Sequence, residues 1–167
     1  MKYCPQCRAE LQAELLDGVE RLACSASGCR YVVWDNPVPV VAALVMYQGK
    51  LLLARNRLWP EGVYSMITGY LERHESPEAA IVREIKEELG LDGIGVSFIG
   101  HYPFKEKNQL IIAYAVTTKG DLKLGEEIAD IQMQSLDELH ERDFGPLVLT
   151  GRIVADWCKQ AGQSGKH

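Results

Sequence analysis

The segment that decides the fold of this chain is GYLERHESPEAAIVREIKEELGL, residues 69–91. Its centre predicts a helix, because the Ser76 hydroxyl can cap free backbone N–H groups and Pro77 suits the first helical position. Gly90 is the residue type favoured just past a helix C-terminus. The segment therefore predicts a helix over residues 77–89.

The predicted helix has an apolar face and an acidic face. Apolar side chains recur at helical spacing and should be buried: Ile81, Val82, Ile85 and Leu89. Three carboxylates at positions i, i+3 and i+4 share the neighbouring face: Glu84, Glu87 and Glu88. Such a trio by itself usually marks a solvated surface. Converging carboxylates can also share a divalent cation such as Mg²⁺ or Mn²⁺ with substrate phosphates.

The loop before the helix contains a glycine and an acid with candidate roles. Gly69 follows the apolar segment 63–68, which is predicted to be a strand, and its backbone could approach a metal closely and offer a carbonyl ligand. Glu75 precedes the helix and Arg83 lies within it. We expect these two side chains to pair in a structural salt bridge that fixes the loop to the helix.

Four of the five cysteines form two pairs near the N-terminus. Cys4 and Cys7 are separated by two residues, and Cys24 and Cys29 by four. Two such pairs can surround one Zn²⁺ tetrahedrally, so we interpret residues 1–34 as a zinc ribbon. Four cysteine ligands leave no open coordination position, so the zinc would be structural. Two disulfides are the alternative.

Composition and charge narrow the class of protein. The chain has 167 residues, of which 47% are hydrophobic and 25% charged, as in globular proteins. The net charge of −5, without a run of basic residues, disfavours non-specific nucleic-acid binding. No apolar stretch resembles a signal peptide or approaches the roughly 20 residues of a membrane span. We expect a cytoplasmic protein without membrane contact.

Residues 35–167 are predicted to form one domain after a linker at 35–37. The predicted strands are 38–47, 50–55, 63–68, 94–102, 109–118 and 128–134, and the further helices are 136–140 and 148–160. Strands on both sides of a central helix predict an α+β fold, an α/β/α sandwich on a mixed sheet. Cys158 should simply pack in the last helix, and the polar tail 162–167 should fray.

The segment 69–91 fits Gly-x5-Glu-x7-Arg-Glu-aliphatic-x-Glu-Glu-x-Gly-aliphatic, the Nudix box, at every specified position. A chance match is on the order of 10⁻⁹ per start site. Residues 38 to about 160 therefore resemble a Nudix hydrolase domain. The cysteine pairs resemble the ribbon that precedes this domain in NADH, ADP-ribose or FAD pyrophosphatase-like members. The resemblance implies a homodimer that hydrolyses a nucleoside diphosphate linked to another moiety, with water attacking phosphorus.

The resemblance also implies roles for particular residues. The metal-binding glutamates of the family match three positions here: Glu84, Glu87 and Glu88. Gly69 matches the carbonyl ligand. One further acid, Glu127 with Glu126 as second choice, matches the region where relatives place an additional metal-binding glutamate. Any of these acids could orient or deprotonate the attacking water, and an exposed acidic turn is the alternative for residues 126–127.

Substrate-binding residues are expected in the loops. The segment 101–104 reads His-Tyr-Pro-Phe where NADH pyrophosphatases carry Ser-Gln-Pro-Trp, so Phe104 either stacks on a base or is a half-buried aromatic. His74 replaces a glycine usual in relatives and is either a phosphate contact or an exposed loop residue. Three aromatic candidates for the walls of the site flank Gly69, and we expect at least one of them to pack in the core instead: Tyr64, Trp59 and Tyr70.

Two classes of function follow from these features. The first is a Mg²⁺- or Mn²⁺-dependent diphosphatase acting on a small nucleotide such as ADP-ribose, FAD or NAD(H), with nucleic acid not expected as the substrate. The second is a non-catalytic nucleotide sensor whose ribbon binds protein or nucleic acid. The complete set of box glutamates favours the enzyme.

Overall fold

The computed structural model describes residues 1–164, except for the side chains of residues 140, 141 and 162–164. The chain forms two compact units, Met1–Pro37 and a larger unit that starts at Val38. The break therefore falls three residues after the predicted boundary at residue 34, because the linker at 35–37 groups with the first unit.

The first unit is a three-stranded antiparallel sheet. Its strands are β1 (Leu11–Leu16), β2 (Val19–Cys24) and β3 (Val32–Val33), in the order β1-β2-β3. Asp17 and Gly18 join β1 to β2 and both have positive φ, as a tight hairpin turn requires. Its buried apolar residues are only three: Cys4, Leu11 and Ala23. So small a core cannot stabilise a fold by hydrophobic burial alone.

The second unit is built on a six-stranded mixed sheet. Its elements are β4 (Val38–Tyr47), β5 (Lys50–Asn56), β6 (Ile67–Tyr70), α1 (Pro77–Leu89), β7 (Asp92–Phe104), β8 (Gln109–Lys119), β9 (Ile128–Gln134), α2 (Leu136–Glu141) and α3 (Val148–Ser164). The strand order is β7-β8-β4-β5-β9, with β6 also paired to β4. β4 and β8 are parallel, and the other pairs are antiparallel.

Two apolar layers lie on opposite faces of this sheet, because successive strand residues point to opposite sides. On one face Val41 and Ala43 pack with the apolar residues of α1. On the other face Val40 and Ala42 pack with α3, through Ile153 among others. The predicted α/β/α sandwich on a mixed sheet is confirmed.

Helix α1 begins and ends where the sequence predicts. The Ser76 hydroxyl accepts a hydrogen bond from the Ala79 N–H at 3.2 Å. Gly90 has a φ of 69° and its N–H bonds the Lys86 carbonyl at 3.0 Å. Three of the four predicted core residues are fully buried, but Val82 is only half-buried, and Ala80 occupies the remaining core position. Alanine was missed because its small side chain carries little periodic signal.

The prediction of a strand over residues 63–68 is wrong in its bounds. The strand β6 starts at Ile67, where the chain reaches its partner β4 at Ala43. Before that point only Ser65 is paired, in an isolated bridge with Ala54. The partner strand, distant in sequence, sets where β6 begins.

The other predicted elements lie at the observed positions, with ends that differ by up to a few residues. Helix α3 continues to Ser164, so residues 162–164 of the tail predicted to fray are helical, while 165–167 lie outside the described residues. None of the helices that the structure describes has the length and apolar composition needed to cross a bilayer.

Candidate functional site

A cleft of about 190 Å³ gathers four glutamates at the C-terminal half of α1. It is lined by Glu84, Glu87, Glu88, Gly125 and Glu127. The first three project from one face of α1, as their spacing predicts. Glu127 comes from the loop before β9, and Glu126, the second choice in the sequence, does not line the cleft.

Gly125 brings the loop of Glu127 against α1. Its N–H donates to the Glu88 carbonyl at 2.8 Å. A Cβ at this position would lie 2.5 Å from the backbone oxygen of Glu87, so only glycine fits. Sequence analysis missed Gly125, although a glycine directly before an acidic pair is a signal that could have found it.

Gly69 lies directly beneath a box glutamate. A Cβ built on Gly69 would be 2.0 Å from the Glu84 Cδ, so any side chain there would displace that carboxylate. The backbone at Gly69 must therefore approach the Glu84 side chain closely, and glycine is the residue that permits this approach. The structure places Gly69 against the Glu84 side chain, but Gly69 is not among the residues that line the cleft, and its service as a carbonyl ligand stays a prediction.

Arg83 links the loop, the helix and two of the glutamates. Its guanidinium donates twice to Glu75, at 2.9 and 3.0 Å, and once to the Tyr70 carbonyl at 3.1 Å. It also donates to Glu84 at 2.8 Å and to Glu87 at 3.0 Å. The Arg83 hydrogen bond lowers the pKa of Glu75, and these carboxylates raise the pKa of Arg83. The contacts to Glu84 and Glu87 were not predicted.

Of the three glutamates on α1, Glu88 is the one that does not pair with Arg83. Burial, followed by repulsion from Glu84, Glu127 and Glu87, raises its pKa to about 7. Burial also raises the pKa of Glu84, although Arg83 opposes that rise. A carboxylate in this state is stabilised by a proton or by a cation. The oxygen-only donor set of the cleft is therefore suited to a hard divalent cation.

The structure buries one of the predicted substrate-binding residues. Tyr64 is only 8% exposed, belongs to the apolar layer on the α3 side, and donates its hydroxyl proton to Asp130. It therefore packs in the core and offers no ring face to a ligand. Trp59 and Tyr70 are exposed, and Tyr70 accepts a hydrogen bond from the Gln109 side chain at 3.1 Å.

Phe104 and His74, the other predicted substrate contacts, both retain accessible surface. Phe104 ends β7, packs partly against the apolar layer, and has the Lys107 ammonium 5.9 Å from its ring centroid. His74 is exposed and adopts a φ of 68°, a left-handed conformation that glycine tolerates best. That backbone explains why a glycine is usual here in the proteins that the chain resembles.

The four N-terminal cysteines converge on one point. Their Sγ atoms all lie within 4.8 Å of one another, with Cys4 and Cys29 at 3.8 Å and Cys7 and Cys24 at 3.4 Å. All are free thiols, which argues against the alternative of two disulfides. A Zn–S length of roughly 2.3 Å gives tetrahedral sulfur separations of about 3.8 Å, so the cluster fits a zinc ion.

Comparisons with known proteins agree with this geometry. Residues 36–153 match the family model of the NUDIX domain. The chain is 28% identical over 162 residues to the NAD-capped RNA hydrolase NudC of Vibrio vulnificus, covering 96% of this chain and 59% of the relative. For NudC of Pseudomonas aeruginosa the identity is 31% over 140 residues, covering 83% and 49%. The mitochondrial NAD(P)H pyrophosphatase NUDT13 of Mus musculus is 30% identical over 115 residues, covering 66% and 33%.

Solved structures share the fold. A NUDIX hydrolase from Nitrosomonas europaea superposes with a TM-score of 0.68 at 23% identity, covering 83% of this chain and 80% of that one. The NUDIX domain of Shewanella oneidensis NrtR, solved with ADP ribose, gives 0.60 at 11% identity, covering 75% and 88%. The chain spans between a third and three fifths of the length of the curated relatives described above. On the match of its box, its fold and the family model, the chain belongs to the Nudix hydrolase family.

Proposed function

We propose that the chain is a divalent-metal-dependent hydrolase that cleaves the diphosphate of a nucleoside diphosphate linked to another moiety. The observation that carries the proposal is the cleft of four glutamates, in which Glu88 has a pKa of about 7 and is not among the carboxylates paired with Arg83. A surface formed only for solubility would not be expected to bury and crowd its carboxylates in this way.

Three box glutamates and one carbonyl would hold the cation, namely Glu84, Glu87, Glu88 and Gly69. When bound, Mg²⁺ or Mn²⁺ supplies charge neutralisation for the diphosphate and a lower pKa for water. Arg83 holds Glu84 and Glu87 in place through its hydrogen bonds. These hydrogen bonds support a structural role for Arg83 and Glu75 rather than direct contact with substrate.

Acidic side chains of the chain would accept the proton that the attacking water loses. As the water oxygen forms its bond to phosphorus, the P–O bond to the bridging oxygen breaks, and one phosphate stays on each product. Glu127, or one of the box glutamates, would accept the proton that the water loses. Positioning and charge supply most of the catalysis in such transfers.

For the substrate we propose an NAD-like dinucleotide, with ADP-ribose and FAD as further candidates. Support comes from the relatives, whose names refer to NAD-capped RNA and NAD(P)H. Phe104 and Tyr70 both keep accessible aromatic surface, which a nucleobase could stack on. His74 is exposed on the loop before α1 and is the proposed phosphate contact. The net charge of −5 favours a small dinucleotide over a long RNA.

For the ribbon we propose one structural Zn²⁺ held by the four cysteines. The close approach of their sulfur atoms and the small apolar core of this unit support the assignment. A closed set of four thiolates leaves no position for water or substrate. The zinc would thus stabilise the fold and take no part in hydrolysis. A homodimer in the cytoplasm stays our prediction, and light scattering of the purified protein tests the dimer.

The proposal is tested by product analysis. The wild type should release a nucleoside monophosphate from NAD(H), ADP-ribose or FAD with Mg²⁺ or Mn²⁺, and NAD-capped RNA belongs in the same panel. Glu88→Gln should lower turnover at least about a hundredfold. The matched control Glu20→Gln changes an exposed glutamate of the first unit and should leave turnover unchanged. Tight nucleotide binding without hydrolysis would instead support the non-catalytic sensor.

A further inference from the structure

Arg57, an exposed residue just past β5, contacts the backbone of the acidic pair that ends at the cleft. We propose that Arg57 is a positioning residue, which fixes the loop of Glu127 so that this carboxylate stays in the glutamate cleft. The inference rests on the proposed function, because it assigns a role in that same site. Neither the box nor the spacing of the glutamates indicates it.

Arg57 binds two successive carbonyl groups of the loop. Its backbone N–H donates to the Glu127 carbonyl at 2.8 Å. Its side-chain Nε donates to the Glu126 carbonyl. One arginine thus fixes both peptide groups that determine where the Glu127 side chain points. Hydrogen bonds from a charged donor are stronger than neutral ones. The guanidinium therefore contributes more than the backbone N–H to fixing the two peptide groups.

The same loop is fixed to α1 at its other end. The Gly125 N–H bonds the Glu88 carbonyl at 2.8 Å, and the Ile128 N–H bonds the Gly125 carbonyl at 3.2 Å. Ile128 is 3% exposed and packs in the apolar layer beside α1. Residues 126–127 therefore form a short span between two anchors, and Arg57 holds the middle of that span.

A bulge in the sheet creates the position of Arg57. Arg55 pairs with Asp130, but the next residue, Asn56, pairs with Ile128, so β9 has one extra residue at this point. Bulges of this kind redirect the strand and its side chains and are frequent next to active sites. Beyond the bulge Arg57 continues the pairing to Glu127.

Repulsion among the carboxylates of the cleft explains why the Glu127 loop needs an anchor. Glu127 faces three other carboxylates, and its charge contributes to the raised pKa values of Glu84 and Glu88. Without a restraint, an exposed loop would move such a side chain away from like charges. Arg57 acts on the backbone, so it holds the loop without neutralising the Glu127 carboxylate.

Direct contact of Arg57 with a substrate phosphate is the competing role, since arginine is suited to phosphate. The two roles differ in what the rest of the site must provide. A positioning residue acts through Glu127, so its removal matters only while Glu127 is present. A phosphate ligand acts on the substrate, so its removal raises KM whether or not Glu127 is present.

The test is a double-mutant cycle on the full zinc-loaded chain with Arg57→Gln, Glu127→Gln and the double variant. Turnover of the dinucleotide found in the substrate panel should fall about tenfold to a hundredfold in kcat for Arg57→Gln, with KM nearly unchanged. In the Glu127→Gln background the same change should have little further effect. Arg57→Lys should recover part of the loss. Arg73→Gln, at an exposed arginine of the loop before α1, is the control for charge and should be neutral.

Hydrogen exchange of the loop provides a readout that needs no turnover. Arg57→Gln should accelerate exchange of peptides covering residues 121–128 and leave α1 and α3 protected. Unchanged exchange, or an equal loss of kcat in both backgrounds, overturns the proposal, as does a rise in KM that persists without Glu127. If the wild type hydrolyses no dinucleotide, the proposed function fails. In that case the role of Arg57 is decided by two measurements on the wild type, the two single variants and the double variant. These are hydrogen exchange of the loop and the affinity for Mn²⁺.

Discussion

The two clusters of metal-ligand side chains in this chain are assembled in opposite ways. The cysteine sulfurs lie within 4.8 Å of one another, while the glutamates spread along a cleft of about 190 Å³. Among the described residues, only the cysteines bring all their ligand atoms so close. The carboxylates of the cleft repel one another, and Arg83 pairs with two of them.

The difference matches the two roles proposed above, a structural site for the cysteines and a catalytic site for the glutamates. The cysteines form a closed set inside a unit that has almost no other core, so a metal there would stabilise the fold. Three of the four glutamates lie on a helix that is already packed against a sheet, so a metal there would be available for chemistry.

Removal of zinc should unfold the first unit and leave the second unit folded. Structural zinc contributes about 10 kcal/mol or more to small domains of this kind. We expect Cys4→Ser to abolish stoichiometric zinc binding and to expose residues 1–37 to rapid hydrogen exchange. Cys158→Ser, at a half-buried residue of α3, is the matched control and should retain one zinc per chain. A Cys4→Ser protein with a protected first unit would contradict the structural role.

Loss of the link between Glu75 and Arg83 should reduce turnover without loss of the fold. Arg83→Lys keeps the charge but cannot form the two parallel bonds to Glu75 while holding Glu84 and Glu87. We expect turnover to fall about tenfold to a hundredfold, as for residues that orient metal ligands. Steady-state kinetics and circular dichroism measure both quantities. Wild-type turnover in Arg83→Lys would show that Glu84 and Glu87 keep their positions without the hydrogen bonds from Arg83.

The stability of the protein without Mg²⁺ or Mn²⁺ should depend on the charge of Glu88. Its pKa is raised to about 7 from an ordinary value of 4.5, so the folded state favours the protonated acid. The associated stability is fully present below pH 4.5 and is lost as the pH rises through 7. After a discount for solvent screening, Glu88→Gln should be more stable than wild type by about 1–2 kcal/mol at pH 8 and nearly equal at pH 5.

Urea unfolding of the zinc-loaded protein measures this difference. Added Mg²⁺ should remove the advantage of Glu88→Gln, because the cation stabilises the ionised carboxylate only in the wild type. Glu20→Gln provides the baseline for a surface glutamate. A wild type that gains stability between pH 5 and pH 8, relative to Glu88→Gln, would have the opposite sign and contradict the account of the cleft.

The smallest effect is expected at His74, whose φ of 68° favours glycine. His74→Gly should stabilise the protein by about 0.5–1 kcal/mol if its side chain has no structural role. Thermal unfolding measures the gain. Turnover of the same variant separates the two interpretations of this residue, since a phosphate contact would raise KM on removal. Destabilisation by His74→Gly would show that the imidazole packs against the loop.

The parts of the fold with local signals were predictable from the sequence. Ser76 and Gly90 determine both ends of α1 through contacts within a few residues, and the observed helix has the predicted bounds. Strands β4 and β9 also have the predicted ends. The start of β6 was not predictable, because it depends on pairing with a strand more than twenty residues earlier.

The candidate site also combines features that the local sequence predicts with features that depend on distant parts of the chain. The spacing within α1 is enough to place three glutamates on one face, and the cysteine spacing is enough to suggest a common centre. The burial of Tyr64 depends on its packing into the apolar layer on the α3 side, and the contacts of Arg57 depend on a bulge between distant strands. Neither feature leaves a pattern in the local sequence.

The most direct test of the contrast between the two sites is turnover of one zinc-loaded preparation before and after removal of Mg²⁺ by mild dialysis. We expect release of a nucleoside monophosphate from NAD(H) to stop without Mg²⁺ and to return on its addition, while one zinc per chain and the folded first unit persist throughout. Turnover that follows the zinc content, or no turnover of any dinucleotide at any Mg²⁺ concentration, would contradict the assignment of the glutamate cleft as the hydrolytic site.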